Sequence, residues 1–196
     1  MLSQDIQKII NKHESLSLKK VMNQTHESVF GFLLALLALP SALPIPAPGY
    51  SIPFGVVIIL LALQIIMGRK SPWFPEKIEN KEVSIIKLKG GIKKIKTFIT
   101  FFEKLIKPRL SWVYSRGQNL FGFIILLCGI SMLIPIPGTN TVPALGVFIM
   151  GLGMIEEDGL IGLGGVLTSL VGIAITILIL FLGAEGIQLL WEQVFS

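Results

Sequence analysis

Apolar residues fill five long runs of the chain, at positions 29–43, 54–67, 120–134, 144–155 and 159–184. The last run carries no charged residue. Because about 20 apolar residues cross a bilayer as a helix, this run predicts a C-terminal transmembrane helix. The other four runs have 12 to 15 residues, which corresponds to helices of about 18 to 23 Å. Such helices are shorter than the hydrocarbon core of a bilayer, which is about 30 Å thick.

The four short runs form two pairs, and each pair is interrupted by proline and glycine. The chain reads LPSALPIPAPGYSIPFG at 39–55 and PIPGTNTVP at 135–143. Proline lacks an amide hydrogen and pushes the preceding residue towards an extended conformation, so neither stretch is helical throughout. We therefore expect two helical hairpins, and we call residues 44–53 the first break and residues 135–143 the second break.

The two hairpins resemble each other at an offset of 91 residues. Phe-Gly-Phe at 30–32 returns at 121–123, and Pro-Ile-Pro at 44–46 returns at 135–137. Beyond the breaks, Gly55 and Val56 correspond to Gly146 and Val147. Matching prolines, glycines and phenylalanines without a gap predicts an internal duplication.

Two interpretations of the breaks remain open. Non-helical backbone at membrane depth is tolerated only in protein or beside a wet cavity, and paired breaks in corresponding positions of a repeat point to a substrate site. On this interpretation the hairpins are re-entrant. Alternatively, the arms are full helices and the breaks are loops at the far membrane surface. The candidate substrate or pore-lining residues are Pro44, Pro46, Pro48, Gly49, Tyr50, Ser51, Pro53, Pro135, Pro137, Gly138, Thr139, Asn140, Thr141 and Pro143.

Composition and charge agree with a membrane protein. The chain is 52% hydrophobic and 15% charged, with a mean hydropathy of +0.75. Residues 69–119 contain thirteen lysines and arginines but four acids, and no lysine or arginine follows Arg116. Basic segments stay in the cytoplasm, so we expect the N-terminus and 69–119 on that side. Aromatic residues do not interleave with this basic block, so we expect no nucleic-acid partner.

The middle segment contains a basic amphipathic pattern, IKKIKTFITFFEKLIKP at 92–108. Its apolar residues recur every three or four positions and lysines fill the other face. This pattern is typical of a helix on an anionic lipid surface. The expected organisation is a polar segment at 1–28, the first hairpin at 29–68, the basic segment at 69–119, the second hairpin at 120–156, and the C-terminal transmembrane helix with its tail at 157–196.

Residues suited to catalysis are missing from the apolar hairpins. Residues 29–68 and 120–155 contain no Asp, Glu, His, Lys or Arg. His13 and His26 lie outside the apolar runs, and Cys128 is the single cysteine. We see no nucleophile–base set and no metal-ligand spacing. The expectation is a protein that is not an enzyme and holds no cofactor or metal.

The order of these motifs resembles the ExoD family of bacterial membrane proteins. The resemblance rests on LPSALPIPAPGYSIPFG, GRKSPWFPE, KPRL and PIPGTNTVPALGV, and covers about residues 25 to 180. It implies a multi-pass protein of the inner membrane with a role in exopolysaccharide production. A homo-oligomer that forms a small pore or carrier for a neutral or weakly charged solute is one expectation. A non-transporting accessory or scaffold subunit, associated with polysaccharide-synthesis proteins, is the alternative.

Overall fold

The computed structural model describes residues 15–16, 28–43, 49–75, 83–84, 109–136 and 139–195. Within these ranges the chain is mainly helical, which confirms the helical elements predicted from the sequence and gives an all-α fold. The helices are α1 (Ser28–Ala42), α2 (Ile52–Ile66), α3 (Trp112–Met132), α4 (Thr141–Ile155) and α5 (Gly159–Phe195). Two short strands, β1 (Ser15–Leu16) and β2 (Val83–Ser84), pair antiparallel with Ser15 opposite Ser84.

The helices follow the apolar runs, but α3 and α5 extend more than two turns beyond them. Helices α1, α2 and α4 have 15 residues each, or about 22 Å. Helix α3 begins at Trp112, before its apolar run starts, because no proline stands between Trp112 and that run and a helix extends at little cost once nucleated. The amphipathic helix predicted at 92–108 lies outside the described residues.

The two hairpins exchange helix partners, so that each helix of the first hairpin packs mainly on a helix of the second hairpin. Helix α1 packs most extensively on α4, and α2 packs most extensively on α3. Helix α5 lies mainly on α4, with a smaller contact to α3. The bundle therefore consists of two layers. We call α1, α4 and α5 the first layer, and α2 and α3 the second layer.

Glycines allow the exchanged helices to approach closely. A Cβ atom added at Gly31 would lie 2.6 Å from the carbonyl oxygen of Gly151, and one added at Gly151 would lie 2.7 Å from that of Gly31. In the second layer, a Cβ at Gly55 would lie 3.1 Å from the carbonyl oxygen of Gly129. Helices in a membrane associate by such close van der Waals packing, since lipid is as apolar as the side chains.

The core is apolar, and so is much of the outer surface. Leu34, Ile58, Ile125, Val147 and Met150 are fully buried between the helices. Large apolar side chains are exposed along α2, α3 and α5. Among the described residues, one segment, 159–183 of α5, is long and apolar enough to cross a membrane. Extended exposed apolar surface of this kind marks a membrane or protein contact.

Helix α5 is fixed at its start by the acidic turn before it. The Asp158 carboxylate is buried, and its Oδ1 accepts hydrogen bonds from the backbone N–H groups of Leu160 and Ile161, at 3.1 and 3.3 Å. A negative group at this position satisfies free amides and favours the helix dipole. The N–H of Gly159 donates to the carbonyl of Arg109 at 2.7 Å. This bond ties the start of α5 to the residues that precede α3.

Candidate functional site

The two breaks meet at one end of the bundle. The side-chain amide of Asn140 donates to the Ser51 hydroxyl at 2.6 Å, and that hydroxyl donates to the carbonyl of Met132 at 3.4 Å. Ser51 and Asn140 are 89 positions apart in the chain. We call Tyr50, Ser51, Thr139 and Asn140 the junction. Because one break supplies each half of it, the junction requires both hairpins.

The junction uses helix-capping residues in an unusual way. Ser51 is the N-cap of α2 and Asn140 is the N-cap of α4, yet neither side chain caps its own helix. Serine and asparagine normally accept a bond from the first turn of the helix that they precede. Here each side chain points to the other break instead. The first turns of α2 and α4 are thus left without side-chain caps beside the junction.

Other junction side chains satisfy backbone carbonyls in and beside the breaks. The Tyr50 hydroxyl donates to the carbonyl of Pro40 at 3.0 Å, in the last turn of α1. The Thr139 hydroxyl donates to the carbonyl of Ile136 at 2.9 Å, and the Asn140 amide reaches that of Ile134 at 3.4 Å. The last carbonyls of a helix, and those of the backbone that follows it, have no partner within the helix. The junction therefore provides donors that lipid does not provide.

The structure brings some predicted site residues together and leaves others apart. Tyr50, Ser51, Thr139 and Asn140 form the junction. Gly49, with φ of 79°, begins the turn that leads into α2, where the Ile52 N–H donates to its carbonyl at 3.2 Å, while Thr141 begins α4. Pro53 and Pro135 are exposed, whereas Pro143 is buried against Gly172 of α5. The predicted residues that lie outside the described ranges are Pro44, Pro46, Pro48, Pro137 and Gly138.

Sequence reasoning missed a group of buried hydroxyls near the junction. The Ser131 and Thr176 hydroxyl oxygens are 2.9 Å apart between α3 and α5. Ser41, at the end of α1, and Ser169, on α5, are also buried, and neither hydroxyl has a hydrogen-bond partner among the described residues. These residues lie inside apolar runs, where a single serine or threonine is common. The Ser131–Thr176 contact and the burial of the other two hydroxyls, which would have identified the group, depend on the helix packing.

Charge is concentrated at the end of the bundle opposite the junction. Arg69 follows α2, Arg109 precedes α3, and Glu157 and Asp158 stand between α4 and α5. The junction itself contains only hydroxyl, amide and backbone groups. Among the described residues, no three His, Cys, Asp or Glu side chains come together as a metal site would require. The junction is therefore suited to hydrogen bonding with uncharged groups.

Over the described residues, the fold and the junction define a helical bundle in which one helix is able to cross a membrane and the Ser51–Asn140 bond joins the two hairpins. The family model described as "Exopolysaccharide synthesis, ExoD" matches residues 2–178. The chain belongs to the ExoD family, as the sequence motifs predicted.

Two relatives are similar along most of the chain. "Uncharacterized protein slr1875" of Synechocystis is 40% identical over 195 residues, covering 96% of this chain and 92% of that protein. "Protein ExoD" of Rhizobium meliloti is 33% identical over 156 residues, covering 77% of this chain and 65% of that protein. No solved structure gives a significant match to the chain.

Proposed function

We propose that this protein takes part in exopolysaccharide production from within the bacterial inner membrane, as a small pore or carrier. The family and the relative called ExoD support the role in exopolysaccharide production. The junction supports the transport role, because it gathers uncharged polar groups at the tips of two apolar hairpins. The solute that suits it is neutral or weakly charged. The proposed role is not enzymatic.

The proposal includes re-entrant hairpins, and contacts along α5 support it. Gly172 lies against Pro143, and Thr176 is bonded to Ser131, so the junction end of the bundle lies at the level of 172–176. The apolar segment of α5 continues to Gly183, which is about 10 Å further along the helix axis. On this proposal, the junction lies below the far membrane surface.

Exposure along α5 supports the same geometry. Six consecutive large side chains, from Ile177 to Leu182, are exposed, and they point to all sides of the helix. A protein partner covers one face of a helix, whereas lipid covers every face. The proposal therefore surrounds this end of α5 with lipid, while the shorter hairpins stop beside it.

Thiol labelling tests the depth of the breaks. Single cysteines replace Leu43 and Pro135, both exposed near the junction, in a Cys128→Ala background. A cysteine at Met67, exposed at the other end of the bundle, is the matched control. Re-entrant breaks predict slow reaction with an impermeant reagent from outside and faster reaction with a small permeant one. Fast labelling from outside at both positions would make the breaks surface loops.

A non-transporting accessory or scaffold subunit is the second candidate, and one observation favours it. The junction side chains already bond to one another and to nearby carbonyls, so these polar groups are satisfied without a solute. Such a subunit would use its membrane helices as an anchor and its basic segment as a contact surface. We propose anionic lipids as partners of that segment, and polysaccharide-synthesis proteins as partners of the accessory subunit.

Two experiments separate the candidates. Deleting the gene and measuring secreted polysaccharide tests the shared role, since unchanged secretion contradicts both candidates. Flux of small neutral solutes into liposomes that contain the purified protein tests transport. Flux above that of empty liposomes supports the pore or carrier. Reduced secretion without flux, together with co-purification of synthesis proteins, supports the accessory subunit. A pore from so few helices also predicts a homo-oligomer, which cross-linking in membranes would detect.

A further inference from the structure

The α3–α5 interface differs in chemistry from the two close glycine crossings of the bundle. The α1–α4 and α2–α3 crossings are made by glycines and apolar side chains. The α3–α5 interface instead contains Ser131 and Thr176, bonded to each other, and Ser169 beside Cys128. We call Cys128, Ser131, Ser169 and Thr176 the seam. It separates the first layer from the second.

Hydrogen bonding in the seam has a defined direction. The Thr176 hydroxyl donates its single proton to the carbonyl of Gly172, at 3.0 Å. It must therefore accept from Ser131, whose oxygen is 2.9 Å away. A hydroxyl oxygen has two lone pairs, so Ser131 retains the capacity to accept. The pair thus leaves an acceptor inside an apolar bundle.

Ser169 leaves a donor in the same interface. Its side chain is fully buried where α3, α4 and α5 meet, against Cys128 and Gly146. The thiol of Cys128 is the polar group beside the Ser169 hydroxyl, and it is a weak acceptor. By distance and angle the hydroxyl has no hydrogen-bond partner among the described residues. A buried hydroxyl without a partner is costly. Its cost is removed when a hydroxyl-bearing molecule occupies the seam.

The seam is continuous with the junction. Ser131 directly precedes Met132, whose carbonyl accepts from Ser51, and Ser51 accepts from Asn140. From Ser169 to Thr176 the seam covers about 10 Å along α5. A line of uncharged polar groups thus runs from the breaks into the interior of the bundle.

We propose that the seam is a binding site for a small neutral solute that carries hydroxyl groups. Ser169 donates to the solute and Ser131 accepts from it, while the layers part at this interface to admit it. Charged solutes are excluded because the seam offers no counter-ion. The proposal rests on the proposed transport function and adds the route and the solute class.

The native Cys128 reports on the seam without any flux assay. The folded protein is treated with hydroxyethyl methanethiosulfonate, a small neutral reagent, and with the sulfonated analogue. Rates are divided by those of the same reagents with a free thiol. If the seam admits neutral hydroxyl compounds, Cys128 reacts with the first reagent, and about tenfold faster than with the charged one. A Cys128 that stays unreactive until the protein unfolds would overturn the proposal.

Matched variants on α5 connect the reaction to the seam. Thr176→Val removes a seam hydroxyl while keeping the shape of the side chain. Thr168→Val makes the same change outside the seam, where the hydroxyl bonds to the Gly164 carbonyl of its own helix. We expect Thr176→Val to slow the Cys128 reaction about fivefold, because Ser131 loses the hydroxyl that holds it in position to accept from the solute. Thr168→Val should leave it unchanged, and equal rates in both variants would contradict the proposal.

Glycerol uptake into proteoliposomes separates this inference from the proposed function. Flux in the wild type that falls in Thr176→Val and Ser131→Ala supports both. Flux that persists unchanged in these variants leaves the pore in place and overturns the seam as its route. Labelling of Cys128 without any flux means that the seam binds solutes, whereas the transport function fails.

Discussion

Replacing Gly31 with alanine should weaken the contact between α1 and α4. The added Cβ would lie 2.6 Å from the Gly151 carbonyl oxygen, 2.8 Å from the Met154 Cβ and 2.9 Å from the Ile155 nitrogen. Two of these atoms belong to the backbone of α4 and the third is fixed to it. No side-chain rotation relieves the clash. The helices must therefore separate.

The expected loss follows from two opposing terms. The added Cβ would lie about 0.8 Å closer to the Gly151 carbonyl oxygen than an ordinary van der Waals contact. Overpacking of this kind costs about 1 to 3 kcal/mol. Alanine recovers about 0.5 to 1 kcal/mol, because glycine is a poor helix former. The net destabilisation is about 0 to 2.5 kcal/mol, which lowers Tm by up to roughly 10 °C in a protein of this size.

Gly164→Ala is the matched control. Gly164 lies on α5, and an added Cβ there meets nothing within 4 Å. The substitution makes the same gain in helix propensity without a clash, so its Tm should equal or exceed that of the wild type. The measurement is thermal unfolding of detergent-purified protein, followed by circular dichroism. Equal Tm values for Gly31→Ala and Gly164→Ala would refute the close crossing of α1 and α4.

Three further predictions concern the two ends of the bundle. Ser51→Ala and Asn140→Ala should be non-additive in a double-mutant cycle, with a coupling of about 0.5 to 1.5 kcal/mol in unfolding; additive losses would mean that the breaks are not joined. Tyr50→Phe should cost about 1 kcal/mol, because a carbonyl at the end of α1 loses its donor; an unchanged Tm would argue against this bond. Trp73 and Trp112 are 56% and 58% exposed at the end opposite the junction. In a variant with only these tryptophans, lipids brominated near the headgroup should quench fluorescence more than lipids brominated near the chain end, whereas the reverse order would place this end inside the bilayer.

The positions of the helices were predictable because local chemistry determines them. Apolar runs and prolines placed α1, α2 and α4 within three residues of their observed bounds. The family was predictable as well, since the Pro/Gly breaks are specific. The start of α3 was not, because its first two turns contain polar residues that a helix tolerates as readily as a loop does. The predicted 91-residue duplication stays a prediction. The corresponding glycines Gly31 and Gly122 both lie at close helix crossings, Gly31 against α4 and Gly122 against α2.

The candidate site was predictable only in part. The polar residues of the breaks identified Tyr50, Ser51, Thr139 and Asn140. Nothing in the sequence indicated that Asn140 bonds to Ser51, because this contact depends on which hairpin packs against which. The seam was not predicted for the same reason. Serine or threonine in an apolar run acquires significance only when another hydroxyl faces it.

The exchange of partners explains why the site needs both hairpins. Helices of 15 residues are short, and α1 and α2 of the same hairpin contact each other far less than they contact α4 and α3. An isolated first hairpin would leave the glycine faces at Gly31 and Gly55 uncovered, and the Ser51 hydroxyl without its partners Asn140 and the Met132 carbonyl. The polar groups of a break would then face lipid, where each unsatisfied group costs several kcal/mol. Losing either hairpin thus removes the Ser51–Asn140 bond that joins the breaks, whereas the Tyr50–Pro40 and Thr139–Ile136 bonds lie within single hairpins.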